Sequence, residues 1–77
     1  MQVAFKRKVI YLNADKLKGK LVEKKKSYSQ CAEALNITLT TFSNKMNGSS
    51  KFYIDEVRAL SNFLKLTNNE KIDIFLN

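Results

Sequence analysis

The stretch from Ser27 to Gly48 constrains the fold more tightly than any other part of the chain. Ser27 and Gln30 have the S-x-x-Q spacing of a capping box, in which each residue satisfies a backbone N–H that the other end of the first turn leaves unpaired. This predicts a helix over about 28–35 that buries Cys31, Ala32 and Leu35. Asn36 follows, and asparagine tolerates the left-handed backbone that ends a helix. Ile37 then points into the core, and Thr38 caps a second helix over about 39–46. Gly48 stops it. Two short helices joined by three residues must cross at a steep angle, which is the helix-turn-helix arrangement.

The second of these helices has two chemically different faces. Phe42 and Met46 form the inner one. Leu39, Thr40, Thr41, Ser43, Asn44 and Asn47 form the outer one, which is nearly uncharged and built of short hydrogen-bonding side chains.

The flanking sequence supplies the rest of a small helical domain. Asn13 is a candidate cap for a first helix over about 14–25, with Ala14, Leu17, Leu21 and Val22 as its apolar stripe. Ser49 to Phe52 read as a loop. A helix over about 54–65 carries Val57, Leu60, Phe63 and Leu64 inward, with Asp55 and Glu56 favourable to its N-terminal dipole. Thr67 and Glu70 make a second capping box, T-x-x-E, opening a last helix over about 68–76 with Ile72, Phe75 and Leu76. Before all of these, Met1 to Leu12 alternate imperfectly and read as a strand. A lone strand is not stable, so its partner is either a second copy of the chain or the chain's own C-terminus. The alternative is a flexible basic arm carrying Lys6, Arg7 and Lys8. The reading is therefore all-α, five helices over 13–77, with a possible N-terminal strand or arm over 1–12.

Composition bounds the function. The 77 residues hold one domain, 44% of them hydrophobic, with no proline and only Gly19 and Gly48 as glycines. That argues against a turn-rich sandwich or barrel. No apolar run approaches the roughly 20 residues of a membrane span, and the basic N-terminus lacks the apolar stretch of a signal peptide. The chain is read as soluble and intracellular, with no membrane partner. One cysteine excludes an internal disulfide, and with no histidine a structural zinc site is not expected. Cys31 reads as a small buried apolar residue rather than a reactive thiol. No metal, no cofactor and no enzymatic activity are expected, because no metal-ligand cluster, phosphate-binding glycine loop or paired-carboxylate pocket is visible.

The net charge is +7, and all of the excess lies in residues 1–26, which carry nine basic and two acidic side chains. Residues 27–50 and 51–77 are each neutral overall. This asymmetry fits a polyanion held against one side of the domain, or a solvated face that only aids solubility.

The stretch S-Y-S-Q-C-A-E-A-L-N-I-T-L-T-T-F-S-N-K-M-N-G resembles the small regulators of the phage repressor and Cro type, with the lambda-repressor-like fold. Ala32 falls five residues after the first cap, where the family has alanine. Leu35, Ile37 and the capping Thr38 follow at the family's spacing, and Asn36 stands where glycine is usual. The close F-S-N-K-M-N-G resembles the end of a recognition helix. The segments K-F-Y-I-D-E-V-R-A-L and T-N-N-E-K-I-D-I-F resemble the family's last two helices, so the resemblance covers about residues 14–76. The helix departs from the usual pattern in lacking arginine and glutamine.

This resemblance implies a sequence-specific regulator of transcription that binds a double-stranded DNA operator, a Cro-like repressor of a phage or mobile element. It implies Leu39, Thr40, Ser43 and Asn44 as base-reading residues. Tyr28, Thr38, Lys45, Asn47 and Lys51, with Lys6, Arg7 and Lys8 of the N-terminal segment, are the candidate contacts to the DNA backbone. Each has a plainer alternative as a solvent-facing or packing residue. A homodimer through the N-terminal strand or the fifth helix is expected, in the bacterial cytoplasm with the nucleoid. The competing readings are a protein-interaction module, such as an antirepressor on the same scaffold, and an RNA binder using the basic N-terminal third.

Overall fold

A computed structural model describes residues 8–75. In chain order these form β1 (Val9–Ile10), α1 (Ala14–Glu23), α2 (Tyr28–Leu35), α3 (Leu39–Met46), β2 (Phe52–Tyr53), α4 (Ile54–Leu64) and α5 (Asn68–Ile74). The domain is mostly helical, with one two-stranded sheet.

Local capping explains where the helices start. The Asn13 side chain accepts from the Lys16 N–H at 3.2 Å. Ser27 and Gln30 close both halves of their box, at 3.1 and 2.8 Å. Thr38 Oγ1 accepts from the Thr41 N–H at 3.1 Å. Thr67 and Glu70 close the second box at 3.2 and 2.8 Å. Each bond satisfies a donor that the first turn leaves without an intrahelical partner.

The helix ends share a less expected device. Lys25, Asn36 and Lys65 have φ of 57°, 61° and 54°. After each, the next N–H reaches back five residues: Lys26 to Leu21 at 2.8 Å, Ile37 to Ala32 at 3.0 Å and Leu66 to Ser61 at 3.0 Å. This is the Schellman closure. It shortens α1 to residue 23 and α4 to residue 64, before the ends their periodicity predicts.

The core gathers all five helices and the sheet. Phe42, Leu17, Leu60, Leu64, Ile74 and Cys31 are fully buried. Each large apolar side chain among them contributes roughly 1.5–3 kcal/mol by leaving water. Burial pushes the Cys31 thiol up to about 11. Two residues expected inside are outside. Val22 is 78% and Ile72 73% exposed. At about 100° per residue, Val22 lies one step off the Leu17–Leu21 stripe, and Ile72 lies nearly opposite Ile74.

The N-terminal strand finds its partner within the chain. β1 pairs antiparallel with β2, Val9 opposite Tyr53 and Ile10 opposite Phe52. The sequence reading has Phe52 in a loop, so this pairing is a correction. Phe75, placed in the last helix by its pattern, is extended instead and forms a single bridge with Leu12. The Asn13 N–H donates to the Ile74 carbonyl at 2.7 Å alongside it.

Candidate nucleic-acid interface

α2 and α3 are joined by three residues and packed closely, with Tyr28 and Phe42 in edge-to-face contact between them. Phe42 in turn meets Phe52 of β2 edge-on at 6.0 Å. This file of three rings ties the two helices to the sheet and leaves the outer side of α3 uncovered.

Thr40, Ser43, Asn44 and Asn47 recur at i, i+3, i+4 and i+7, so they share one stripe of α3. Thr40 and Asn47 are exposed, and Ser43 and Asn44 are half-buried. Leu39 flanks this stripe at the start of the helix and is 49% exposed. The structure thus brings the four expected base-reading residues and Asn47 to one side of the domain.

The expected backbone contacts fare unevenly. Tyr28 is half-buried, its ring 5.3 Å from that of Phe42. Thr38 is exposed, but its hydroxyl caps α3 and also donates to Thr41 Oγ1 at 2.9 Å. Asn47 is exposed, and its side-chain oxygen accepts from the Ser49 N–H at 3.1 Å. Lys51 is exposed, its ammonium 5.6 Å from the Tyr11 ring centroid. Lys8 is exposed, and its carbonyl accepts from the Ile54 N–H at 2.8 Å. Lys6 and Arg7 lie outside the described residues.

Lys45 requires a correction. It is only 7% exposed. Its ammonium donates to the Lys51 carbonyl at 2.7 Å and pairs with Glu56 Oε1 at 2.9 Å. It also lies 5.1 Å from the Tyr53 ring centroid and 5.8 Å from that of Phe52. An ammonium held this way points into the domain and is not a surface contact for phosphate. Its position shows why: Lys45 follows Phe42 by three and precedes Met46 by one, so it belongs to the inner face.

The positive charge of α1 is also partly committed. Lys16 pairs with Asp73 of α5, and Lys20 pairs with Glu70 of α5 at 2.6 Å. Lys20 also meets Glu23 at 3.2 Å. The Lys20 ammonium and the Thr67 N–H hold the Glu70 carboxyl down to about 2. The same bonds to Glu70 and Glu23 raise Lys20.

Two grooves border α3. One, of about 260 Å³, lies beside its C-terminal end, with Tyr11, Asn47, Ser50 and Lys51 among its lining residues. The other, of about 650 Å³, runs between α2 and α3 past Ser29, Gln30, Glu33 and Leu39. Sequence reasoning missed Tyr11, whose only signal is an exposed aromatic within an alternating strand. It also missed Glu33, an acid on the α2 side of this surface. Among the described residues no group of three His, Cys, Asp or Glu side chains could hold a metal ion. No helix among them is long and apolar enough to cross a membrane. No family model, curated protein or solved structure matches the chain.

Proposed function

We propose that this chain is a sequence-specific double-stranded-DNA-binding regulator of transcription, of the phage repressor and Cro type with a lambda-repressor-like fold. α3 enters the major groove and α2 braces it across the backbone. One observation carries this reading: the stripe of Thr40, Ser43, Asn44 and Asn47 on a short, capped helix whose opposite face is locked into the core. Asn44 pairs with an adenine edge through two hydrogen bonds, and Thr40 and Ser43 bond to bases or neighbouring phosphates. Leu39 meets a thymine methyl. Tyr28, Asn47 and Lys51 hold the backbone around α3, and Lys6, Arg7 and Lys8 of the N-terminal segment add further phosphate contacts.

A single domain offers few phosphate contacts, so two copies reading half-sites about 34 Å apart are the expected form. The N-terminal strand, or α5 with its exposed Ile72, supplies the contact between copies. Such a regulator works in the bacterial cytoplasm, on the nucleoid.

The test is fluorescence anisotropy with the DNA flanking the protein's own gene, beside a scrambled duplex, at two salt concentrations. Preferential binding that Asn44→Ala weakens by about 1–3 kcal/mol supports the reading. Equal, steeply salt-dependent binding to both duplexes reduces the chain to a general polyanion binder.

A second reading has its own observation. With Lys45 turned inward, the outward face of α3 carries no basic side chain, and Glu33 borders it. That favours a protein partner, as for an antirepressor on this scaffold. Absence of DNA binding at low salt would put this reading first.

A further inference from the structure

The buried ammonium of Lys45 is the one charged group of α3, and contact with DNA does not explain it. Three segments converge on it from outside the helix. The loop before β2 supplies the Lys51 carbonyl at 2.7 Å, and α4 supplies the Glu56 carboxylate at 2.9 Å. β2 supplies the Phe52 and Tyr53 rings. Glu56 Oε1 also accepts from the Tyr53 N–H at 3.0 Å, so carboxylate and strand are bound to each other. β2 is itself paired with β1.

α3 is therefore held at both ends by different means. Its N-terminal end follows the three-residue turn from α2 and the Thr38 cap. Its C-terminal end packs Met46 into the core, and the Lys45 ammonium adds directed contacts to the Lys51 carbonyl and to α4. Burying an ion pair is a poor way to add stability, since desolvation offsets much of the attraction. Hydrogen bonds are directional, however, and apolar packing is not.

We infer that Lys45 is the positioning residue of the recognition helix, fixing the angle at which Thr40, Ser43 and Asn44 meet the bases. The inference rests on the DNA-binding reading above. Lys45 touches no DNA; it acts through the C-terminal end of α3.

The test begins with selection of preferred duplexes from a random library by the wild-type protein. Affinity for the selected and a scrambled duplex is then measured over a range of salt, for wild type, Lys45→Met and the double variant Lys45→Met with Glu56→Leu. The double variant removes both charges together, and so leaves no unpaired carboxylate to unfold the domain. Circular dichroism confirms folding. The expected result is an unchanged salt slope with discrimination between duplexes reduced about tenfold, the worth of one misplaced base contact. A salt slope lower by about one would mean that Lys45 contacts phosphate directly, and would overturn the inference. Folded variants that keep wild-type discrimination would also overturn it, leaving Lys45 a part of the core only. If the wild type selects no duplex, the DNA reading itself fails, and this assignment falls with it.

Discussion

The Tyr28 ring meets the Phe42 ring edge-on at 5.3 Å and 73°, and this contact joins α2 to α3. The packing uses the ring, while the proposed phosphate contact uses only the hydroxyl. Tyr28→Phe therefore separates the two roles. It should leave stability within about 0.5 kcal/mol of wild type and weaken DNA binding about tenfold, as expected for a lost bond to a charged group. Phe42→Ala should instead cost about 3–5 kcal/mol of stability. Denaturant titrations beside anisotropy would read both. Unchanged affinity in Tyr28→Phe would assign the tyrosine to packing alone.

Lys65 ends α4 at φ 54°, a backbone region that strains any side chain with a Cβ. Lys65→Gly should stabilise the domain by about 1 kcal/mol, measured as a higher urea midpoint at constant slope. Lys25→Gly, at φ 57°, should act in the same direction. A lower midpoint in both would show that lysine side-chain contacts outweigh the backbone strain.

The Glu70 carboxyl titrates at about 2 in the folded protein, against an ordinary value of 4.5, first because Lys20 bonds to it. A depressed carboxyl favours the folded state above its unfolded value. Its contribution is then lost as pH falls from about 4.5 through about 2. Glu70→Gln keeps an acceptor for the Thr67 N–H but loses the charge. The difference in melting temperature between wild type and Glu70→Gln should shrink across that window. A constant difference would mean that the Lys20–Glu70 pair is not formed in solution.

Ser61 sits in α4 at 3% exposure, and its hydroxyl has no hydrogen-bond partner among the described residues. Ser61→Ala removes an unsatisfied polar atom and improves helix propensity. It should raise stability by about 1 kcal/mol. Destabilisation on urea titration would reveal that the hydroxyl is satisfied after all, by water.

Features that depend on a few neighbouring residues were legible from the chain alone. Helix starts at Asn13, Ser27, Thr38 and Thr67 are local hydrogen bonds over three residues, so spacing alone exposes them. The same holds for α2 and α3, whose bounds match their pattern, and for the left-handed Asn36, a residue type suited to that backbone. The stripe of Thr40, Ser43 and Asn44 was legible for the same reason, because helical periodicity sets which residues share a face.

Tertiary structure decided what depends on distant partners. The Schellman closures at Lys25 and Lys65 sit on a residue type that gives no hint of positive φ. β1 pairs with Phe52 and Tyr53, more than 40 residues away, and two residues of alternation carry no record of which strand they meet. Helical spacing puts Lys45 beside Phe42 and Met46, yet nothing near it in sequence supplies a partner for its charge. Only the arrival of Glu56 and the Lys51 carbonyl makes its burial tolerable, because a charge leaves water only where partners replace it.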